Sequence, residues 1–438
     1  MEKIMKVSLN HTLFRLSLLA FLSVSLLSFG GALVDGANCL SWPLCLPTGL
    51  GDASQLLHRA SAGFAALIMV ALLVETWRVH RDHRWLLPLA TVTVTLFFSQ
   101  VLVGAIQATR GLPADIQLLH TLTAFAVWLS LGAFTLATAL YSRDVVGFPP
   151  LDVRQRLKDF LILTKPIIVL LLLVTTFAGM VMGGKAWPSL SLTFFTLLGG
   201  ALAAGGSGAI NQYIDRDLDK NMQRTAKRPM AAGRMTPAEG LAFGLGASIA
   251  SFYLLAGYVN LLAAFLSLAG IFYYVVLYSI LLKKATVQNI VIGGGAGAIP
   301  PMVGWAAATG QLDIPALFLF AIIFMWTPPH FWALALVRRN EYARAGVPMM
   351  PVVRGEAETR KQVWWYTLAL VGVTLLMPLF GMAGSVYLVS ALVFGGGLIY
   401  FAWRVLTTDS NKIAWRMYRY SSMYLMFIFL ALMVDALV

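Results

Sequence analysis

Residues 205–239 read GGSGAINQYIDRDLDKNMQRTAKRPMAAGRMTPAE, and this stretch decides the reading of the chain. It follows an apolar run long enough to cross a bilayer. Asn211, Asp215 and Asp219 then recur at intervals of four. A helix stacks such residues on one face, with a rise of about 6 Å per step. Carboxylates at a helix C-terminus are poorly placed, because the last carbonyls already present negative charge. A hard cation relieves that conflict, and Mg²⁺ characteristically joins one or two carboxylates to the phosphates of a substrate. The basic residues that follow, Arg224, Lys227, Arg228 and Arg234, offer counter-charge to an anion. Thr236, Pro237 and Glu239 have the spacing of a capping box with proline at the first helical position, so a new helix is expected there. Spacing alone also fits a membrane-edge helix that ends in solvated mixed charge.

Outward from this stretch the composition sets the class. Of 438 residues, 59% are hydrophobic and 12% charged, which places the chain among polytopic membrane proteins. Thirteen apolar spans are expected, in an all-α architecture. Of the 32 Lys and Arg, all but Arg59, Arg110 and Lys185 fall on one side if the N-terminus is cytoplasmic. The expected topology is therefore N-in, C-out. The net charge of +13 follows from membrane orientation and gives no reason to invoke nucleic acid. The first span is too long for a signal peptide and lacks a small-residue cleavage site after it, so it reads as an anchor.

The motif Asn211-x3-Asp215-x3-Asp219, with Arg224 and Lys227-Arg228-Pro229 behind it, resembles the first aspartate-rich motif of the UbiA superfamily of membrane prenyltransferases. The resemblance covers about residues 160–436. It implies transfer of a prenyl chain from its diphosphate, held by Mg²⁺ on Asn211, Asp215 and Asp219, to an aromatic or tetrapyrrole acceptor. Tyr278 and Lys283 stand at an inner helix end. Lys283 could pair with phosphate or be an ordinary positive-inside anchor. Asn289 lies just inside the next span, before a GGGAGAIPP run whose Pro300 and Pro301 suggest a broken helix facing a cavity.

Residues 327–353, TPPHFWALALVRRNEYARAGVPMMPVV, resemble the haem O synthase branch of that superfamily. This implies farnesyl diphosphate and protohaem IX as substrates, and a haem A synthase as a possible partner. Most of the superfamily has a second aspartate pair in this region, whereas the only acid here is Glu341, a longer arm in that role. His330 could ligate haem iron, bond a propionate, or satisfy a carbonyl freed by Pro328 and Pro329. Two rivals stand beside this reading: a prenyltransferase with another aromatic acceptor, and a haem-binding carrier or assembly protein with a vestigial transferase domain.

The N-terminal part has its own pattern. Cys39 and Cys45, the only cysteines, fall in the first outer loop, where an oxidising compartment allows a disulfide. His58 and His120 open the second and fourth spans near the outer face. Two imidazoles at matching depth in a four-helix bundle are a natural axial pair for haem b, or else interface residues. GALV, the Cys-x5-Cys loop with WPLC, HR at His58, LVGA and LLH at His120 resemble one four-helix half of haem A synthase over about residues 12–140. Where the catalytic half of that family has a glutamate, this chain has Gln55. The expected division is a bundle over 1–145, a linker over 146–160 and a prenyltransferase domain over 161–438. That domain is expected to work without the bundle.

Overall fold

The computed structural model describes residues 11–32, 50–110, 113–141 and 152–438. Cys39 and Cys45 lie outside them. The described residues form helices joined by turns, and no strand is found among them. Thirteen helical stretches among them are long and apolar enough to cross a membrane, the number expected from sequence. The chain is a multi-pass integral membrane protein.

Its contacts divide it into two compact units. The first holds Met1–Leu161 together with Gly233–Tyr253, and the second holds Ile162–Ala232 and Leu254–Val438.

In the first unit α1 (His11–Ala32), α2 (Leu50–His80), α3 (Leu86–Thr109) and α4 (Ala114–Leu140) pack in a ring, each against its chain neighbour and α4 back against α1. Met69, Leu72, Leu86, Phe97, Leu131 and Phe134 fill the centre. Polar pairs fasten it where lipid offers no hydrophobic drive: Ser17 and Thr138 lie 3.0 Å apart between α1 and α4. The amphipathic α5 (Val153–Leu163) follows. In the second unit α6 (Pro166–Gly184) is followed by α7 (Leu190–Lys220), which starts where Ser189 Oγ accepts from the Leu192 amide.

The next helix, α8 (Pro237–Tyr258), packs mainly in the first unit. The capping box closes as its sequence requires. The Thr236 amide donates to Glu239 Oε2 at 2.7 Å, and the Glu239 amide donates to Thr236 Oγ1 at 3.2 Å. Ala238 and Ala242 pack with Leu87, Leu73 and Trp77, and Tyr253 bonds Thr123 of α4.

The second unit continues with α9 (Leu261–Phe272) and a π-helical segment, π1 (Tyr273–Leu282). Then come α10 (Asn289–Gly293), α11 (Gly295–Thr309), α12 (Ile314–Val337), the short α13 (Arg339–Arg344) and α14 (Met350–Val353), α15 (Glu356–Leu379), α16 (Ser385–Thr407) and α17 (Asn411–Leu437). The span expected to break at Pro300 and Pro301 breaks instead at Gly294, and both prolines sit inside α11. The chain there is fixed by close backbone approach. A methyl group on Gly304 would collide with the Thr176 carbonyl oxygen of α6, and one on Gly179 with that of Pro301. Small residues let two helices meet at the backbone, which is how membrane helices gain contact without a hydrophobic drive.

Candidate functional site: a buried acid–base ladder at the end of α7

The one-faced stacking expected of the motif is what α7 shows. Asn211, Asp215 and Asp219 are 3%, 1% and 3% exposed, while Asp217 on the opposite face is exposed and pairs with Lys220 at 2.9 Å. Buried carboxylates need charge partners, and each step of the motif has one. Lys165 Nζ donates to Asn211 Oδ1 at 2.6 Å. Lys283 Nζ lies 2.5 Å from Asp215 Oδ2, which also accepts from Asn211 Nδ2 at 2.9 Å. Arg228 Nη1 reaches both Asp219 oxygens, at 2.9 and 2.8 Å.

Lys165 went unnoticed in the sequence, where a lysine before a span looks like any inner anchor. Two features set it apart. Its backbone is left-handed, with φ 56° and ψ 61°, a conformation that costs a non-glycine residue about 1–2 kcal/mol. The residue before a proline is further disfavoured in helical regions, and Pro166 follows. Its ammonium group also meets the Tyr274 hydroxyl at 3.1 Å. Burial first, and then the Arg228 charge, lower its pKa to about 7 against the opposing pull of Asp215.

π1 carries the second set of groups. With the wider turn, Ser279 Oγ reaches back five residues to the Tyr274 carbonyl at 2.8 Å and is free to accept from Asn211 Nδ2 at 3.0 Å. The same register brings the Lys283 amide to the Tyr278 carbonyl at 2.9 Å. Segments of π-helix are often found at functional sites. Tyr278 lies over Gly293, where a side chain would run into its ring. It is within electrostatic reach of Asp215, Arg224 and Tyr342.

The end of the 327–353 stretch meets this site through Tyr342. Arg224 hydrogen-bonds Tyr342, whose pKa burial raises, and Tyr342 packs with Met222, Ile290, Val347 and Met349. Asn289, 1% exposed, donates weakly to the Lys283 carbonyl at 3.4 Å. Glu341 pairs with Arg338 at 2.8 Å. Lys227 is exposed. Arg234, read from sequence as counter-charge for an anion, is instead committed to the buried Asp159 at 2.9 Å. His330, on α12, bonds Ser421 of α17 at 2.7 Å.

The donor chemistry suits a hard cation. Asp215 Oδ1, Asn289 Oδ1 and Glu341 Oε2 are all buried oxygens without a hydrogen-bond partner. Among the described residues, however, no three acidic or histidine side chains already converge as metal ligands. Lys165, Lys283 and Arg228 pair with oxygens of Asn211, Asp215 and Asp219 respectively.

In the first unit His58 and His120 come within electrostatic reach of each other. Each imidazole rests on a glycine of the preceding helix. A methyl group on Gly31 would lie 2.8 Å from His58 Cε1, and one on Gly104 would lie 2.9 Å from His120 Cε1. Both Nδ1 atoms are buried without partners, while Gln100 Nε2 is 3.1 Å from His120 Nε2. Gln55 accepts from Arg59 at 3.1 Å.

Comparison with known proteins identifies the family. Residues 172–431 match the UbiA prenyltransferase family model. A protoheme IX farnesyltransferase of Roseiflexus castenholzii is 43% identical, over 95% of this chain and 83% of that protein. One of Trichodesmium erythraeum is 50% identical, over 65% of this chain and 88% of its own. Among solved structures, one of a study of digeranylgeranylglyceryl phosphate synthase has a TM-score of 0.57 at 16% identity, over 65% of this chain and 99% of that one, a likeness of fold. With the family model matched over residues 172–431 and relatives 43–50% identical, this chain belongs to the UbiA prenyltransferase family.

Proposed function

We propose that the chain transfers a farnesyl group from farnesyl diphosphate to a vinyl group of protohaem IX, giving haem O and diphosphate. The observation that carries the reading is the ladder itself: three buried polar residues on one helix face, each met by a cation. Relatives that carry the name protoheme IX farnesyltransferase over most of this chain supply the acceptor.

In this reading Asn211, Asp215 and Asp219 hold Mg²⁺, with Glu341 and Asn289 as further oxygen donors. A bound Mg²⁺ neutralises the phosphates and eases departure of the leaving group. Lys165, Lys283, Arg228, Arg224 and Lys227 supply positive charge to the diphosphate as the allylic C–O bond breaks and its electron pair leaves on oxygen. The vinyl π pair then forms the new C–C bond. The cation left beside the macrocycle takes up water and releases a proton. Tyr278 and the apolar neighbours of Tyr342 keep bulk water from the earlier allylic cation, and His330 contacts the acceptor.

The basic excess of the loops favours a site on the cytoplasmic side of a bacterial cell membrane or its equivalent. Residues 161–438 are taken as the transferase domain, 146–160 as a linker and 1–145 as a bundle like one half of haem A synthase. Its His58 and His120 hold one haem b. Two imidazoles within electrostatic reach of each other, with buried, unpartnered Nδ1 atoms, favour this, and Gln100 would have to release His120 Nε2. A haem A synthase, which would consume the product, is the implied protein partner, and the Cys39–Cys45 disulfide the implied staple of the outer loop.

The test is mass analysis of haem after incubation of purified protein with farnesyl diphosphate, protohaem and Mg²⁺. Product is expected from wild type and none from Asp215→Ala. Near-normal product from the variant would overturn the site assignment.

A further inference from the structure

His330 is the one histidine in residues 161–438. It lies on α12 two turns, about 10 Å, before the helix end that leads to Glu341 and Tyr342. Its ring is 7% exposed and its orientation is fixed by aromatic neighbours. Trp326 stacks on it with ring centroids 4.1 Å apart, Tyr418 lies at 4.5 Å, and Phe331 stands edge-on at 5.3 Å.

The hydrogen bonds assign its proton. Nδ1 is 2.7 Å from Ser421 Oγ. The Ser421 hydroxyl has a single proton, and that proton goes to the Tyr418 carbonyl at 2.8 Å. Ser421 Oγ can then only accept from the ring, so Nδ1 carries the hydrogen and Nε2 the lone pair. The hydrogen-bond partners found for the ring among the described residues are Ser421 Oγ and the Tyr418 carbonyl that Ser421 itself bonds, both on the α17 side toward which Nδ1 is turned. The carbonyls freed by Pro328 and Pro329 do not hold the ring either, since Ser421 on another helix does. A neutral imidazole with one N–H committed to an oxygen and the other nitrogen open is the usual state of a metal-ligating histidine. An ionised propionate is a poor partner for it, because two lone pairs would face each other.

We propose that His330 Nε2 is the axial ligand to the iron of the tetrapyrrole acceptor, and that Ser421 is its positioning residue. This rests on the transferase reading given above. Coordination is a dative bond from nitrogen to iron, with no change of oxidation state. An anchor at the centre of the macrocycle leaves its rim, where the vinyl groups are, free to react.

The experiment uses full-length protein in detergent. Dissociation constants for protohaem and for metal-free protoporphyrin IX are measured on wild type, His330→Ala and Ser421→Ala, and transfer is assayed with both tetrapyrroles. His330→Ala is expected to weaken protohaem at least tenfold, with protoporphyrin IX within about threefold. Ser421→Ala, which keeps the histidine, is expected to shift protohaem in the same direction by about 10-fold, and it carries the test if His330→Ala does not fold. Equal losses for both tetrapyrroles, or no change in either, would overturn the proposal. Its failure is separable from that of the transferase reading. Wild-type transfer with no iron-dependent split sinks the ligand alone, while a clear split with no transfer to either tetrapyrrole sinks the reaction.

Discussion

Replacing Lys165 by methionine separates a catalytic role from a structural one. The ammonium group meets Asn211 Oδ1 at 2.6 Å and Tyr274 at 3.1 Å. Methionine keeps the length of the stem and removes the charge. If Lys165 supports the departing diphosphate, the loss resembles that of a preorganised donor to developing negative charge, about 2.7–4 kcal/mol, or a 10²–10³-fold fall in kcat. Stability should behave differently. Burial already lowers the lysine pKa to about 7, so the folded state disfavours the charge that methionine removes. The pKa is depressed on folding, so this unfavourable contribution is full below about pH 7 and declines steadily as pH rises from there to the ordinary lysine value of 10.5. The variant should therefore melt no lower than wild type at pH 6, and Lys165→Arg should recover part of the rate. The assay is single-turnover farnesyl transfer at saturating Mg²⁺ beside a melting curve at pH 6 and 8. A variant with kcat within about threefold of wild type, or one that loses activity and melting temperature in parallel, would refute the reasoning.

Three further outcomes are expected. Gly304→Ala should destabilise the second unit by about 3 kcal/mol, the upper end for overpacking, because the methyl meets the backbone of Thr176 rather than a movable side chain; thermal melting reads it. His58→Ala or His120→Ala should change the Soret spectrum of bound haem, and the double variant should lose that signal while farnesyl transfer persists. A fragment from residue 150 onward should purify poorly and transfer little. It lacks the Leu87, Trp77 and Thr123 against which α8 packs, and co-expression of residues 1–149 should restore both yield and activity.

That last expectation departs from the domain independence suggested by the sequence, and the reason is physical. Residue patterns mark where a helix begins but not which neighbour it chooses. The Thr236 and Glu239 capping box was readable because its bonds are local, spanning three residues. That α8 belongs with Leu87 and Thr123 was not readable, since a lipid-facing and a protein-facing apolar stripe look alike in a membrane span.

The sequence by itself determined the class, the thirteen spans and the face of α7 that carries Asn211, Asp215 and Asp219, because hydropathy and a four-residue period are properties of a single segment. It also marked Lys283 and Arg228 as cations near the motif. Only the tertiary structure decided which cation meets which oxygen. It drew in Lys165 from another helix start, turned Arg234 away to Asp159, moved the expected break from Pro300 to Gly294, and handed His330 to Ser421. These are contacts between residues far apart in the chain, fixed by helix packing and by the need of each buried polar group for a partner.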